Sequence, residues 1–277
     1  MRFVSSSLIR WCGILMLASP VACGGGSGDD GPDAGMGGAP DAGSAADGGG
    51  IDAAEANNGV CEEGGYSTDN RYLPLKVGNV WRYEVTDGFD VTIKRQEYTE
   101  VLTPSAETGE VVVQITEKID GITENWLQQR GDVVVRLRQR DFDAQGNLER
   151  TTCYLPYRTR FDETAERLIK GATWTDDYIR YVVPNVDNSD VSCDMSQIVC
   201  DPNGVTSKCE TVKDQWTVTE DQVECETSFG TMPCIEILRV RLEGGDAPPK
   251  QYRFARGFGK VLEQGDLREE LIGCQLQ

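Results

Sequence analysis

The chain has 277 residues, with 46 acidic and 27 basic side chains, a net charge of −19 and no histidine. That charge repels phosphate backbones and anionic lipid surfaces, which excludes a nucleic-acid binder driven by electrostatics. Without histidine there is no Ser-His-Asp or Cys-His centre and no histidine-ligated zinc or haem.

The first 22 residues have the layout of an export signal and are set aside in reasoning about the fold. Arg2 and Arg10 supply a positive start, Trp11 to Ala18 an apolar core, and Ser19 to Ala22 a small-residue approach to Cys23. Such a core is too short to span a bilayer, which takes about 20 apolar residues, and no later stretch is longer. Loss of Arg2 and Arg10 takes the mature net charge from −19 to −21. Val21-Ala22-Cys23 resembles the bacterial lipobox, with Pro20 where that motif usually has leucine. The resemblance implies a diacyl or triacyl cysteine at Cys23, and stable anchoring takes more than one acyl chain. It also implies passage to an outer membrane, because Gly24 stands where retained lipoproteins carry Asp. The competing reading is a plain secretory peptide cut without lipidation.

Residues 23–60 read as a tether. Gly24 to Asn58 is Gly, Asp, Ala, Ser and Pro with almost no large apolar side chain. It cannot bury enough surface to offset its ordering entropy. As a Gly-rich coil it reaches roughly 30–35 Å.

Residues 61–277 read as one β domain. Turn signals recur at Asp87-Gly88, Gly109, Asp120-Gly121, Gly131-Asp132, Gln145-Gly146-Asn147, Asn203-Gly204, Gly230, Gly244-Gly245-Asp246 and Gly265. The runs between them alternate with the period of a strand. In Val80 to Thr86, Trp81, Tyr83 and Val85 share one face. Glu110 to Ile119 places Val111, Val113 and Ile115 together. Asp132 to Arg140 places Val133, Val135 and Leu137 inward and Arg136, Arg138 and Arg140 outward. Later strands are expected at Tyr178 to Val183, Gln215 to Thr219, Ile235 to Leu242, Tyr252 to Phe254 and Leu267 to Ile272. Asp162 to Lys170 is the one helical candidate. The expected fold is an all-β antiparallel meander forming a curved sheet, half-barrel or sandwich.

Of ten cysteines, Cys12 leaves with the signal and Cys23 takes lipid. Cys61, Cys153, Cys193, Cys200, Cys209, Cys225, Cys234 and Cys274 remain. An even set of eight in an exported chain argues for disulfides, with 105 pairings open. Cys225 and Cys234 bracket a turn at Phe229-Gly230 and are expected to staple a hairpin. Cys61 and Cys274 flank the domain and are placed to tie its ends. No CxxC pair is present, so a metal site is not favoured.

Tyr72-Leu73-Pro74-Leu75-Lys76-Val77-Gly78-Asn79-Val80-Trp81-Arg82-Tyr83 resembles the hydrophobic-Pro-Leu-x-x-Gly-x-x-Trp-x-Tyr opening of uncharacterised bacterial secreted lipoproteins. Gly171-Ala172-Thr173-Trp174 is similar to an internal Gly-x-x-Trp echo of that group. Phe229-Gly230-Thr231-Met232-Pro233-Cys234 resembles its Gly-Thr-Phe-x-x-Cys segment. Ala255-Arg256-Gly257-Phe258-Gly259-Lys260-Val261 resembles its Ala-x-Gly-x-Gly-x-Val close. The resemblance implies an antiparallel β domain and no established activity. Relative to it, Asp187 to Cys209 is a Cys-rich insertion.

Candidate chemistry is sparse. Arg136, Arg138 and Arg140 form a basic row suited to an anionic ligand; the alternative is cross-strand pairing with acids such as Glu117 or Glu124. Trp81, Trp126, Trp174 and Trp216 with Tyr83, Tyr178, Tyr181 and Tyr252 suit a sugar platform or, more simply, a core. Arg130-Gly131-Asp132 matches an adhesion tripeptide where a hairpin must turn. Asp187-Asn188-Ser189-Asp190 and Asp194 lack the Gly and terminal Glu of a calcium loop. No cofactor is expected. The reading is a non-catalytic cell-envelope lipoprotein, held to a membrane through Cys23, with an envelope protein or glycan as partner. The alternatives are a carrier of lipids or hydrophobic ligands with a concave sheet, and a secreted hydrolase using paired carboxylates.

Overall fold

The computed structural model describes residues 61, 69–102, 109–184, 191, 193–201 and 207–277. The export signal, Cys23, the tether, the Asp187–Asp190 run and the Asn203-Gly204 turn signal lie outside these residues. Twelve strands follow one another: β1 (Val80–Asp87), β2 (Asp90–Leu102), β3 (Val111–Lys118), β4 (Gly121–Arg130), β5 (Val133–Asp143), β6 (Leu148–Asp162), β7 (Thr173–Pro184), β8 (Lys208–Thr227), β9 (Gly230–Glu243), β10 (Lys250–Ala255), β11 (Gly259–Gln264) and β12 (Arg268–Gln275). Each pairs with its successor, β12 pairs antiparallel with β1, and the meander closes into a barrel. The all-β antiparallel reading holds, and its open choice of curved sheet, half-barrel or sandwich resolves into full closure. Closure leaves no edge strand to template aggregation.

Strands β2, β4, β6 and β11 carry polar residues on the inner face, among them Lys94, Asn125, Arg158 and Lys260. Polar residues at inward positions blur the alternation, which is why the sequence pattern passes over these strands. On β3, Val111, Val113 and Ile115 share one face as expected; it is the outer one, and the inward set is Val112, Gln114 and Thr116. Val112 packs with Tyr98 and Leu127, and Gln114 lines the lumen. The three consecutive valines of β3 make both faces apolar, so periodicity could not choose between them. On β5, Val134 rather than Val133 and Val135 pairs toward the lumen residue Phe161. Only a single 3-10 turn, Ala165–Arg167, forms where a short helix was expected.

The two halves of the barrel open with one device. Before β1, Asn79 N–H bonds to Lys76 O, Gly78 N–H to Tyr98 O (2.8 Å), and Tyr98 N–H to Asn79 O. Before β7, Ala172 N–H bonds to Ile169 O, Gly171 N–H to Val218 O (2.8 Å), and Val218 N–H to Ala172 O. Both glycines have positive φ, +90° and +85°, as the third residue of such a turn requires. Each turn sends a tryptophan, Trp81 or Trp174, into the core.

The opening and closing motifs meet in space. Trp81 Nε1 donates to Phe258 O, and Gly257 N–H donates to Arg71 O at 2.7 Å. A side chain on Gly259 would stand 3.4 Å from the Trp81 ring, at a φ of +87° that already disfavours one. Trp81 meets Tyr98 edge-on with ring centres 5.0 Å apart.

Four disulfides are present among the described residues. Cys225–Cys234 staples the β8–β9 hairpin, and Cys61–Cys274 ties the chain ahead of β1 to β12. Cys153–Cys193 and Cys200–Cys209 hold the Cys-rich insertion against β6 and β8.

Cys61–Cys274 spans 213 residues of sequence and Cys200–Cys209 only 9. Loop-closure entropy then favours the long bridge by about 3 kcal/mol. The double variant Cys61→Ser, Cys274→Ser is expected to lose roughly 2–5 kcal/mol in equilibrium guanidinium unfolding, and Cys200→Ser, Cys209→Ser clearly less.

Candidate functional site

The lumen is filled with side chains, and many of them are charged. Two clusters account for this. In the first, Lys94 and Lys260 share the Glu269 carboxylate, and Lys260 also bonds Glu263 at 2.6 Å. Lys250 reaches the other oxygen of Glu263 at 2.7 Å. Tyr83 lies under both lysines, each 5.0 Å from its ring centre, and donates its hydroxyl to Lys260 O. Positive and negative groups are close to balanced here.

The second cluster is not balanced. A skipped residue at Leu137 sets Arg136 opposite Leu127 and Arg138 opposite Trp126. Leu127 lines the lumen, so Arg136 points inward. Its Nη1 donates to Gln139 Oε1 at 2.7 Å. Across the ladder Arg136 faces Arg158, and both guanidiniums lie within 6 Å of the Tyr154 ring. Arg239 sits 5.8 Å from the rings of Trp216 and Tyr252. Arg160 lines a lumen cavity of about 30 Å³ together with Trp81, Tyr98, Gln114 and Trp216. It forms no hydrogen bond or ion pair with any described residue.

Two buried carboxylates stand against these groups. Asp214 is fully buried, accepts from Arg241 Nε at 2.7 Å and from the Tyr178 hydroxyl at 3.2 Å, and lies 4.0 Å from Arg158 Nε. Asp176 is committed to the backbone N–H and hydroxyl of Thr159. Arg136, Arg158, Arg160, Arg239 and Arg241 therefore outnumber their carboxylates. Burial, then Arg136 and Arg158, pull Arg160 down to about 10. Burial, then Arg158, lowers Arg239 as well. Burial alone would raise the Tyr154 phenol; Arg136 and Arg158 outweigh it and bring it below its ordinary value. The Nε atoms of Arg136 and Arg158 and the indole N–H groups of Trp174 and Trp216 are buried without a partner.

The expected anion row is thereby corrected. Arg136, Arg138 and Arg140 do not share a face, because the irregularity at Leu137 turns Arg136 inward. Arg138 stacks on Trp126 outside the barrel, 4.3 Å from the ring, and Arg140 pairs with Glu124 at 3.2 Å. Glu117 stands 3.6 Å from Arg95 instead. Sequence reasoning missed Arg158, Arg160 and Arg239. A signal existed for Arg239: it shares the parity of Ile235 and Ile237 on β9, which places a guanidinium on the core face.

The remaining motifs have structural roles. Trp81 and Trp174 are buried, and Trp174 stacks on Trp216 with ring centres 6.3 Å apart. Gly131 takes the positive φ of the β4–β5 turn, and Arg130 lies 4.7 Å over the Tyr157 ring. Asp194 accepts from the Ser196 N–H and caps the 3-10 turn Met195–Gln197.

No family model matches the chain. No curated protein matches it either. Two solved structures are similar to it. One, from Bacteroides fragilis, is an inferred exported protein with a YmcC-like fold, 10% identical, covering 74% of this chain and 99% of that one with a TM-score of 0.39. The other is an inferred lipoprotein from Parabacteroides distasonis, 12% identical, covering 75% and 99%, with a TM-score of 0.25.

The lysine cluster carries a pH signature. Burial, then the charge of Lys260, pulls Lys94 down to about 7 and outweighs the Glu269 carboxylate. Between that value and its ordinary 10.5, the unfolded chain keeps a proton that the folded chain has shed. Stability therefore rises with pH across this window, by on the order of 1 kcal/mol per pH unit. Lys260 is raised, so its own contribution is lost only above the window. Denaturant unfolding between pH 7.5 and 9.5 is expected to show this slope in the wild type and a flatter one in Lys94→Met.

Proposed function

We propose that the chain is a lipid-anchored, non-catalytic binding module of the cell envelope, displayed on the tether of residues 23–60. The observation that carries this reading is the filled lumen. Its cavity holds about 30 Å³, whereas sites for ligands of drug or lipid size run to several hundred. An acyl carrier needs an open apolar space, and this one is small and lined by Arg160, Lys260, Gln96 and Gln114 alongside its aromatic rings.

At the Glu263–Glu269 pair, a carboxylate-dependent hydrolase is disfavoured as well. Such chemistry needs one carboxyl held protonated beside one held ionised. Glu263 and Glu269 meet at Lys260, and its charge holds both below the usual carboxylate range despite burial. They serve as counter-ions. The envelope address rests on the export signal, the lipobox resemblance at Cys23 and the disulfides.

Mass spectrometry of the protein taken from membranes tests the anchor. The expected chain begins at Cys23 and carries added diacylglyceryl mass, and Cys23→Ser is expected in the soluble fraction. A mature N-terminus downstream of Cys23, without lipid, overturns the anchor. Native mass spectrometry is expected to find no acyl lipid inside the barrel; a stoichiometric lipid there overturns the binding-module reading in favour of a carrier.

A further inference from the structure

We propose that the lumen cavity is a binding site for a carboxylate group, held by the Arg160 guanidinium with the positive charge of Arg136 and Arg158 behind it. The proposal rests on the binding-module reading and names its ligand class.

Three observations converge on it. First, arginine cannot shed its charge inside a protein, and an uncompensated buried charge is costly. Arg160 is half-buried and forms no hydrogen bond or ion pair with a described residue; Arg136 and Arg158 repel it more strongly than Glu263 attracts it. Two other cations of the lumen are committed: Lys260 to Glu263 and Glu269, and Arg241 to Asp214. Second, the excess of positive charge extends beyond Arg160: Arg136 and Arg158 lie close enough to repel it, and their own buried Nε atoms have no hydrogen-bond partner. Third, size selects the anion. A cavity of about 30 Å³ accommodates roughly two oxygen atoms of water size. A planar carboxylate presents two such oxygens to the fork of a guanidinium. The rings of Trp81, Tyr98 and Tyr252 around the cavity exclude water and strengthen the pairing.

Each oxygen accepts, and each donor is a nitrogen of this chain, so binding needs no proton transfer. The group has two sources: a free small carboxylate, or the terminus of a larger molecule entering at the barrel mouth. Acetate and glucuronate separate them.

The test uses the full mature protein in detergent at fixed ionic strength, replacing chloride by acetate or by glucuronate. Thermal unfolding and tryptophan fluorescence are followed together. Wild type is expected to show a saturable rise in Tm and a saturable fluorescence change with acetate. Saturation by glucuronate as well assigns the group to a larger molecule, and saturation by acetate alone assigns it to a free ion. Arg160→Gln is expected to weaken the apparent affinity at least tenfold while unfolding in chloride at or above the wild-type temperature, because a repelled charge is gone. Arg160→Lys keeps the charge without the fork and is expected to bind more weakly than wild type. Arg138→Gln, outside the barrel, is expected to titrate like wild type. If acetate does no more than chloride, or if wild type, Arg160→Gln and Arg160→Lys respond alike, the carboxylate site is wrong. That failure leaves the lipid on Cys23 untouched, and an unlipidated Cys23 leaves this titration untouched.

Discussion

Everything in this barrel depends on the seam between its first and last strands. A twelve-strand meander with β1 and β12 apart would be an open sheet with a charged inner face exposed to water. Pairing of β1 with β12 converts that face into an interior. The seam is reinforced from three directions: the Trp81 indole on the Phe258 carbonyl, the Arg71 carbonyl under Gly257, and the Cys61–Cys274 bridge. The final residue joins in, with the Gln277 N–H donating to the Asn79 side chain at 2.9 Å. These contacts link residues nearly two hundred positions apart. They form only when the whole meander has curled.

Closure has an electrostatic cost, met differently by the two charged clusters. Around Lys260 the carboxylates of Glu263 and Glu269 answer the lysines at hydrogen-bond distance. Around Arg160 neutral groups surround the cations: the rings of Tyr154, Trp216 and Tyr252 and the amide of Gln139. Rings over a guanidinium offset part of its desolvation. They do not cancel its charge. The chain as a whole is strongly acidic, while the lumen around Arg160 holds an excess of positive charge. Opposite signs on the two faces of one sheet are what a barrel permits and a solid core does not.

The legible part of the fold came from strands whose inner face is apolar. Trp81, Tyr83 and Val85 alternate cleanly, and β1 is where the pattern placed it. The Gly-x-x-Trp motif was visible twice, and its structural meaning is a turn that launches each half of the barrel. The illegible part is the same as the candidate site. Lys94, Asn125, Arg158 and Arg160 interrupt the apolar period because they face the lumen, so the residues that matter most erase the signal that would locate them. Register slips compound this. One irregularity at Leu137 moves Arg136 to the opposite face from Arg138 and Arg140, and period-2 reasoning has no access to a slip of one residue.

The sequence by itself determined the strand-and-turn character of the domain and its antiparallel meander, because hairpin turns and two-sided runs are local properties. It also carries the pattern read as an export signal, a lipobox-like Cys23 and an even set of domain cysteines, since each depends on composition and spacing alone. Only the tertiary structure decided that the meander closes and that Arg136, Arg158, Arg160 and Arg239 converge from β5, β6 and β9. Those outcomes depend on bulges and on contacts between strands far apart in sequence, and neither is written in any local pattern.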